Sequence, residues 1–200
     1  MTSTSINYWY YFDIETTGLN EEDSKIITIQ YQPLYYNSSK GEPYDPSNDE
    51  SLPNSELTIL KEWESDEKTI LKKFYDEFLI PSKRMGFDPI GNNLSFEGKF
   101  LKARMLKHGI IDENKRLKFG QLEGFDLRSV AILINGGERN YAKFFGKVGE
   151  GRNVPVWYEQ RNYDEIIRYI QDETNSFIKM FYFLLKKSPN LKNELLELHS

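Results

Sequence analysis

The chain lacks cysteine altogether and carries only two histidines, His108 and His199, among its 200 residues. Without cysteine there can be no disulfide framework, no thiolate zinc site and no cysteine nucleophile. Two histidines leave little room for catalysis or metal binding that depends on imidazole. No run approaches the roughly 18 apolar residues of a membrane span, and the first residues lack the pattern of a signal peptide. We therefore expect no membrane association and a cytoplasmic, intracellular protein.

An excess of positive charge is missing as well. The net charge is −5, from 26 Lys and Arg against 31 Asp and Glu, which argues against a protein that coats nucleic acid nonspecifically. Hydrophobic residues make up 38% of the chain and charged residues 28%, as in an ordinary globular protein. Because a chain of this length can bury a sizeable core, we predict a single domain over residues 1–200.

The most informative stretch is Tyr11-Phe-Asp13-Ile-Glu15-Thr-Thr-Gly-Leu19. The aromatic run before Asp13 predicts a buried strand. Side chains two residues apart in a strand share a face, so Asp13 and Glu15 should point the same way. Paired carboxylates in an apolar strand need a compensating cation or proton, and oxygen ligands favour Mg²⁺ or Mn²⁺. The alternative is a strand end whose two acids are simply solvated.

The rest of the chain alternates between strand-like and helix-like patterns. Strands are predicted at 8–12, 24–33, 34–36, 56–63 and 87–91, with a further extended stretch at 119–125. Helices are predicted at 65–79, 94–108, 126–135, 164–187 and 191–199. Residues 37–54 are rich in Ser, Pro, Asn and Gly and are predicted to form an exposed loop insertion. This order predicts an α/β domain in which α-helices flank a mixed β-sheet.

A further acid, Glu97, lies in the first turn of the helix predicted at 94–108. Asn93 is suited to cap that helix, and Phe96 and Phe100 lie on its core-facing side. Glu97 borders the same apolar stripe, where its carboxylate would be held rigidly toward the sheet. Alternatively, it is an ordinary first-turn glutamate favoured by the helix dipole. The pattern alone leaves both interpretations open.

Two of these stretches resemble motifs of a known family. Asp13-Ile-Glu15-Thr-Thr-Gly-Leu19 resembles the first motif of the DEDD superfamily of 3′–5′ exonucleases, which have a ribonuclease-H-like fold. Gly91-x-Asn93-x-x-Phe96-Glu97 is similar to the second motif, usually Gly-His-Asn-x-x-Phe-Asp. Asn92 stands where histidine is common, and Glu97 where aspartate is usual. The resemblance therefore includes one longer acid at the second motif.

The superfamily has one more carboxylate on a C-terminal helix, with tyrosine four residues earlier or histidine five residues earlier. Neither histidine precedes a suitable acid, so the resemblance is to the tyrosine subtype, as in the proofreading exonuclease domain of family B DNA polymerases. Tyr169 precedes Glu173 by four residues, whereas the alternative acid, Asp172, has Arg168 in the tyrosine position. Glu173 falls within the apolar stripe of its helix, and Asp172 lies about 100° away. Since an acid in an apolar stripe needs a partner, we choose Glu173 and keep Asp172 as the alternative.

The resemblance implies a phosphodiesterase that uses two ions, Mg²⁺ or Mn²⁺. Asp13 would bridge both ions, Glu15 and Glu173 would complete one ion site, and Glu97 would serve the other. Tyr169 would orient the attacking water. These implied roles define the predicted catalytic and metal-binding residues.

The resemblance also implies a substrate site for single-stranded DNA or RNA 3′ ends. The backbone of Thr16, Thr17 and Gly18 would hold the terminal nucleotide, and Asn93 and Phe96 belong to the same predicted site. Leu19 would wedge against a base, although ordinary core packing of Leu19 is an equal alternative. A replication or repair protein is an expected partner. The competing function classes are a noncatalytic nucleic-acid-binding module and a structure-specific endonuclease.

Four further features are predicted to be secondary. Basic and aromatic residues alternate over 140–152, which is typical of single-strand binding but also of an amphipathic segment. Trp157 and Tyr158 are candidates to line the groove. Asp126 is interpreted as a helix cap, and His108 as a residue that compensates a helix dipole.

Overall fold

The computed structural model describes residues 6–37, 42–45, 54–80, 87–112, 124–138 and 151–198. The strands in these ranges are β1 (Ile6–Thr16), β2 (Ile26–Asn37), β3 (Glu42–Pro43), β4 (Thr58–Lys61), β5 (Pro89–Gly91) and β6 (Phe125–Asp126). The α-helices are α1 (Glu67–Phe74), α2 (Leu94–Lys107), α3 (Leu127–Ile134), α4 (Val154–Glu159) and α5 (Tyr163–Glu197). None of these helices is both long and apolar enough to cross a membrane.

The strands form one mixed sheet in the order β3-β2-β1-β5-β6, with β4 also paired to β2. β1 and β2 are antiparallel over their whole length, whereas β1 pairs with β5 and β5 with β6 in parallel. The prediction of an α/β domain with a mixed, helix-flanked sheet is confirmed. Because Tyr11 of β1 lies opposite Ile90 of β5, and Gly91 lies opposite Asp126 of β6, the turns after β5 and β6 lie beside the part of β1 that carries Asp13.

The alternation of side chains along β1 divides the core between the two faces of the sheet. Phe12 and Ile14 belong to the cluster that contains α1 and α2, and the Phe12 ring lies 5.2 Å from that of Phe74. Tyr11 packs instead against Phe177 of α5, with 4.9 Å between ring centroids. Odd-numbered residues of β1 therefore face α5. The two acids of the first motif are odd-numbered.

The boundary between the strands predicted at 24–33 and 34–36 is wrong, because β2 runs without interruption through Pro33. Pro33 lies opposite Tyr10 of β1. On its other side it falls between the residues that pair with β4, Thr28–Tyr31, and those that pair with β3. A proline is tolerated in a strand where its missing N–H has no ladder partner, and this gap provides such a place.

The break predicted between helices 164–187 and 191–199 is also wrong, because α5 is continuous from Tyr163 to Glu197 and contains Pro189. Pro189 cannot donate a hydrogen bond to the carbonyl of Leu185. The hydroxyl of Ser188 donates to that carbonyl instead, at 2.8 Å. The side chain thus replaces the missing backbone donor, which the apolar pattern could not reveal.

Smaller differences concern the loops. The two-residue strand β3 lies inside the loop predicted at 37–54, of which 38–41 and 46–53 are outside the described residues. Of the stretch predicted at 119–125, only Gly124 and Phe125 are described, and Phe125 begins β6. The helices predicted at 94–108 and 126–135 are confirmed as α2 and α3. The helix predicted at 65–79 is α1, capped by Asp66 and followed by a π-helical turn at Tyr75–Leu79.

Candidate active site

Three acids come together where the end of β1 faces α5. Asp13, Glu15 and Glu173 each offer a carboxylate oxygen, and these oxygens all lie within 4.8 Å of one another. All three side chains are half-buried. The period of two along β1 brings Asp13 and Glu15 to the α5 side of the sheet, and Glu173 meets them from the helix. Clustered carboxylates of this kind can hold a divalent cation.

Neutral groups fix the orientation of Asp13. Its Oδ1 accepts a hydrogen bond from the backbone N–H of Ile14 at 2.9 Å, and its Oδ2 accepts from the Tyr11 hydroxyl at 3.4 Å and from the Gln30 amide at 3.3 Å. Gln30 is fully buried in β2. Because these donors carry no charge, they hold the carboxylate in place without cancelling its charge.

Glu97 approaches the cluster from the start of α2. It is only 4% exposed, and its Oε2 has no hydrogen-bond partner among the described residues. Burial, together with the charges of Asp13, Asp126 and Glu173, raises the pKa of the Glu97 carboxyl to about 10. Glu97 is not one of the three acids whose oxygens lie within 4.8 Å of one another, but it shares their electrostatic environment.

The position of Glu97 excludes an ordinary solvent-exposed glutamate at a helix start. The buried residues of α2 flank it in the core, with Phe100 and Leu101 fully buried. A buried carboxylate oxygen without a donor is stable only with a proton or a cation beside it. An oxygen of this kind beside three clustered acids fits a hard divalent ion such as Mg²⁺ or Mn²⁺.

The two acids that competed for the third position lie on different sides of α5. Asp172 is exposed, whereas Glu173 is half-buried in the cluster. Tyr169, one turn earlier, is only 5% exposed, and its hydroxyl is hydrogen-bonded to Glu173. Burial raises the pKa of Tyr169 far above its usual range, as do the charges of Glu173 and Glu15. Tyr169 is therefore a protonated hydrogen-bond donor at neutral pH.

The helix α4 was not predicted, and it forms a wall beside Tyr169. The ring centroid of Trp157 lies 6.1 Å from that of Tyr169. Tyr158 is tied to the turn after β1 through Lys25, whose Nζ lies 2.7 Å from the Tyr158 hydroxyl and 2.7 Å from Glu62 Oε1. Tyr158 also donates a short hydrogen bond to Glu62. Trp157 and Tyr158 thus hold α4 in place beside the acids.

The turn that follows β1 is rigid, and Leu19 projects from it. The Thr16 hydroxyl donates to the carbonyl of Gly18 at 2.6 Å, and Thr17 Oγ1 accepts from the backbone N–H of Lys25 at 3.0 Å. A β-carbon at Gly18 would lie 2.5 Å from Ser24 Oγ, so a side chain there would displace the Ser24 hydroxyl. Leu19 is 86% exposed. The alternative that Leu19 packs in the core is therefore wrong.

Asn93 does not cap α2 with its side chain, contrary to prediction. It adopts a left-handed conformation with φ 74° and makes no side-chain capping bond. Its backbone N–H donates to Asp126 Oδ1 at 2.9 Å, and its side-chain oxygen accepts from Arg128 Nη1 at 2.5 Å. Asp126 caps α3 as predicted, by accepting from the Arg128 backbone N–H. These bonds join the turn before α2, the helix that carries Glu97, to the turn before α3.

The remaining predicted residues are placed as follows. Phe96 is half-buried against Phe100, with 4.8 Å between ring centroids. Of the stretch 140–152, only residues 151 and 152 are described, and Arg152 is exposed. His108 ends α2 as predicted, but its Nε2 also lies 2.8 Å from Glu67 Oε2. Glu67 in turn accepts two hydrogen bonds from the buried Arg104, and this network was not predicted.

Comparison with known proteins supplies no relative for this site. No protein-family model matches the chain, and no curated protein matches it. The chemistry of the site depends on the residues that form it. These are three clustered acids, a fourth acid with a buried unpaired oxygen, and a tyrosine that stays protonated beside them.

Proposed function

We propose that this chain is a metal-dependent 3′–5′ exonuclease with a ribonuclease-H-like fold, of the DEDD type and its tyrosine subtype. The observation that carries the proposal is the buried, unpaired Oε2 of Glu97 beside the three clustered carboxylates. Four acids held this close together repel one another, and cations bound among them would relieve that repulsion. Structural proteins have no reason to maintain such an arrangement, whereas phosphodiester hydrolysis by metal ions requires it.

The proposed ligands are Asp13, Glu15, Glu97 and Glu173, and the proposed ions are two Mg²⁺ or Mn²⁺. When bound, the ions supply Lewis-acid stabilisation of the negative charge that develops on the phosphoryl oxygens. Glu97 and Glu173 replace the usual aspartates and are longer by one methylene, about 1.5 Å of bond length. Both longer acids come from helices, Glu97 from α2 and Glu173 from α5.

Tyr169 positions the attacking water in this proposal. Its hydroxyl is buried, protonated and hydrogen-bonded to Glu173. Because its one proton is donated to that carboxylate, its oxygen can accept a hydrogen bond from a water held next to the same carboxylate. In the reaction, water oxygen forms a bond to phosphorus and the bond from phosphorus to the 3′ oxygen breaks. The water proton leaves to a nearby base or solvent, and the departing 3′ oxygen takes up a proton. The protein contributes mainly by fixing these groups in position.

The turn after β1 is the proposed contact for the substrate. Leu19 is exposed next to the acids and is free to stack against a base, while the hydrogen-bonded backbone of Thr16 to Gly18 supports it. Asn93 and Phe96 would contact the next nucleotide. We extend the proposal to single-stranded DNA or RNA 3′ ends as substrates and to an intracellular, cytoplasmic role beside a replication or repair protein.

The test is digestion of 5′-labelled single-stranded DNA and RNA with Mn²⁺. We expect a ladder of products that shorten from the 3′ end, release of mononucleotides, and no product in EDTA. Glu173→Gln and Asp172→Asn form a matched pair, because each removes one negative charge from adjacent positions of α5. Glu173→Gln should lower turnover at least about a hundredfold, whereas Asp172→Asn should leave it unchanged.

Three experimental outcomes would contradict the exonuclease proposal. Failure to release mononucleotides from either substrate, with folded protein, would show that the chain is not an exonuclease. If Asp13→Ala and the wild type bind single strands equally and neither yields a metal-dependent product, the chain is a nucleic-acid-binding module. Products cut only at internal sites would identify a structure-specific endonuclease.

A further inference from the structure

The second half of α5 carries an apolar repeat. Phe177, Leu184, Leu191 and Leu198 follow one another at intervals of seven residues. Seven residues are close to two helical turns, so these side chains lie along one face of the helix. A seven-residue apolar repeat is typical of helices that pair with another helix.

The protein covers only the first part of this face. Phe177 is 6% exposed and packs with Tyr11 on the sheet. Further along the same face, Leu191 is 57% exposed and Leu198 is 77% exposed. The helix continues through Pro189 to Glu197, and the Ser188 hydroxyl donates to the carbonyl that Pro189 cannot reach. This part of α5 therefore presents an uncovered continuation of the face that packs in the core.

The charges beside this face have no partner of opposite charge within their own helix. Lys187, Lys192 and Glu194 form no ion pair among the described residues. Side chains pair along a helix at spacings of three or four residues. No acid stands at those spacings from Lys187 or Lys192, and no base at those spacings from Glu194. Lys187 lies over the ring of Phe183 in its own helix, with its Nζ 5.8 Å from the ring centroid, but this contact supplies no charge of opposite sign. A second helix could therefore supply the missing partners without displacing an ion pair.

The same charges distinguish between possible alignments of two identical helices. With Leu184, Leu191 and Leu198 at position d of the heptad, Lys187 and Glu194 occupy position g and Lys192 occupies position e. In a parallel pair, g faces the e position of the next heptad, so Lys187 would face the partner's Lys192 and repel it. In an antiparallel pair g faces g, so Lys187 would face the partner's Glu194. Symmetry repeats that attraction, which gives two favourable ion pairs.

We infer that two copies of this chain associate through antiparallel pairing of residues 184–198 of α5, with Leu191 of each copy near the twofold axis. The interface is isologous, so each copy supplies the same face and the contact closes at the dimer. Because only about two heptads are free to pair, the dimer is weak, with a dissociation constant on the order of micromolar. The inference does not depend on the proposed nuclease activity.

The test is sedimentation equilibrium of the whole chain from about 1 to 100 μM, without nucleic acid. We expect a monomer–dimer equilibrium for the wild type. Leu191→Glu should weaken the dimer at least about a hundredfold, because it places two carboxylates at the centre of the interface. Because Leu191 is exposed in the monomer, the Leu191→Glu protein should have the same circular dichroism spectrum as the wild type.

Charge reversals test the alignment. Lys187→Glu and Glu194→Lys should each weaken the dimer about fivefold to tenfold by turning both ion pairs repulsive. The double reversal should restore the affinity of the wild type. Lys186→Glu is the matched control, because this exposed residue lies away from the interface and its reversal should have no effect. The inference would be overturned if the wild type remained a monomer at about 100 μM, or if Leu191→Glu did not change the affinity of the dimer. It would also be overturned if the double reversal gave a weaker dimer than either single reversal.

Discussion

Gly151 lies so close to Tyr169 that a β-carbon at position 151 would stand 3.1 Å from the phenolic oxygen of Tyr169. The short turn Gly151–Asn153 leads into α4, so the backbone before α4 closes directly over the hydroxyl that bonds to Glu173. At this distance a β-carbon would press against the Tyr169 hydroxyl, so one of the two groups would have to move. The conformation of this turn and the position of the hydroxyl are therefore coupled.

We accordingly expect Gly151→Ala to affect turnover more than stability. The added methyl group displaces either the turn or the Tyr169 hydroxyl by a few tenths of an ångström, and misplacement of a positioning group slows the chemical step. The expected result is a fall in kcat of about tenfold with little change in KM. Initial rates on a single-stranded oligonucleotide measure both constants. Asn153→Ala, an exposed change in the same turn, is the control, and an unaltered kcat in Gly151→Ala would contradict the coupling.

The acid cluster should make the protein less stable without metal. We expect Glu97→Gln to raise the free energy of unfolding in EDTA by about 1–3 kcal/mol, because a neutral amide replaces a buried carboxyl that must either stay charged beside the other acids or take up a proton. The same change should reduce the rise in melting temperature that Mn²⁺ produces in the wild type. Urea unfolding and thermal melts with and without Mn²⁺ measure the two effects. Asp172→Asn is the control, because it removes an exposed acid of equal charge and should alter neither the free energy of unfolding nor the response to Mn²⁺. A Glu97→Gln protein that is less stable than the wild type in EDTA would argue against a metal site.

The stability of the fold at acid pH depends on a separate hydrogen-bond network around Glu67. Burial by itself would raise the pKa of Glu67, but hydrogen bonds from Arg104, His108 and the Ile26 amide lower it below its usual value of 4.5. A carboxyl whose pKa is lower in the folded protein stabilises the fold above its unfolded pKa. That stability is lost as the pH falls through the lower, folded value. We therefore expect the free energy of unfolding to decrease steeply below about pH 4.5.

The variant Glu67→Gln separates this network from other acids. It leaves Arg104 buried without its carboxylate and should cost about 3–5 kcal/mol at pH 7. It should also flatten the decrease in stability between pH 5 and 3, because the titrating group is gone, as measured by urea unfolding at each pH. Glu64→Gln breaks the exposed pair with Lys61 and should cost no more than about 1 kcal/mol. An equally steep acid limb in Glu67→Gln would place the titrating group elsewhere.

Local periodicity explains how much of the site could be predicted. The period of two puts Asp13 and Glu15 on one face of β1, and the period of 3.6 puts Glu173 rather than Asp172 on the inner face of α5. Both relations follow from residues close in sequence, and the structure places these acids accordingly. The same reasoning predicted the elements α2 and α3 and the mixed sheet.

Relations between distant residues could not be predicted in this way. Glu67 and Arg104 are separated by 37 residues, and neither carries a local pattern that indicates its partner. In the sequence Gly151 has the pattern of an ordinary loop glycine, and only the structure shows that it packs against the Tyr169 hydroxyl. Pro189 indicates a helix break, and only the hydroxyl of Ser188 removes that expectation. Each failure arose where a tertiary contact or a side-chain donor overrode the local preference.

The final prediction concerns Leu19, which is 86% exposed at the turn beside the acids. Because it buries almost no surface in the free protein, Leu19→Ala should leave the free energy of unfolding within about 0.5 kcal/mol of the wild type. If Leu19 stacks against a base, the same change should weaken binding of single strands by about 1 kcal/mol or more, roughly fivefold. Fluorescence anisotropy with a labelled oligonucleotide, in the Asp13→Ala background to prevent digestion, measures that affinity directly.

Leu133→Ala removes an equally exposed leucine from α3 and should change neither quantity. Equal affinities of the Leu19→Ala and Leu133→Ala proteins would exclude Leu19 from the substrate site, and the acids would then have to hold the terminal nucleotide without it.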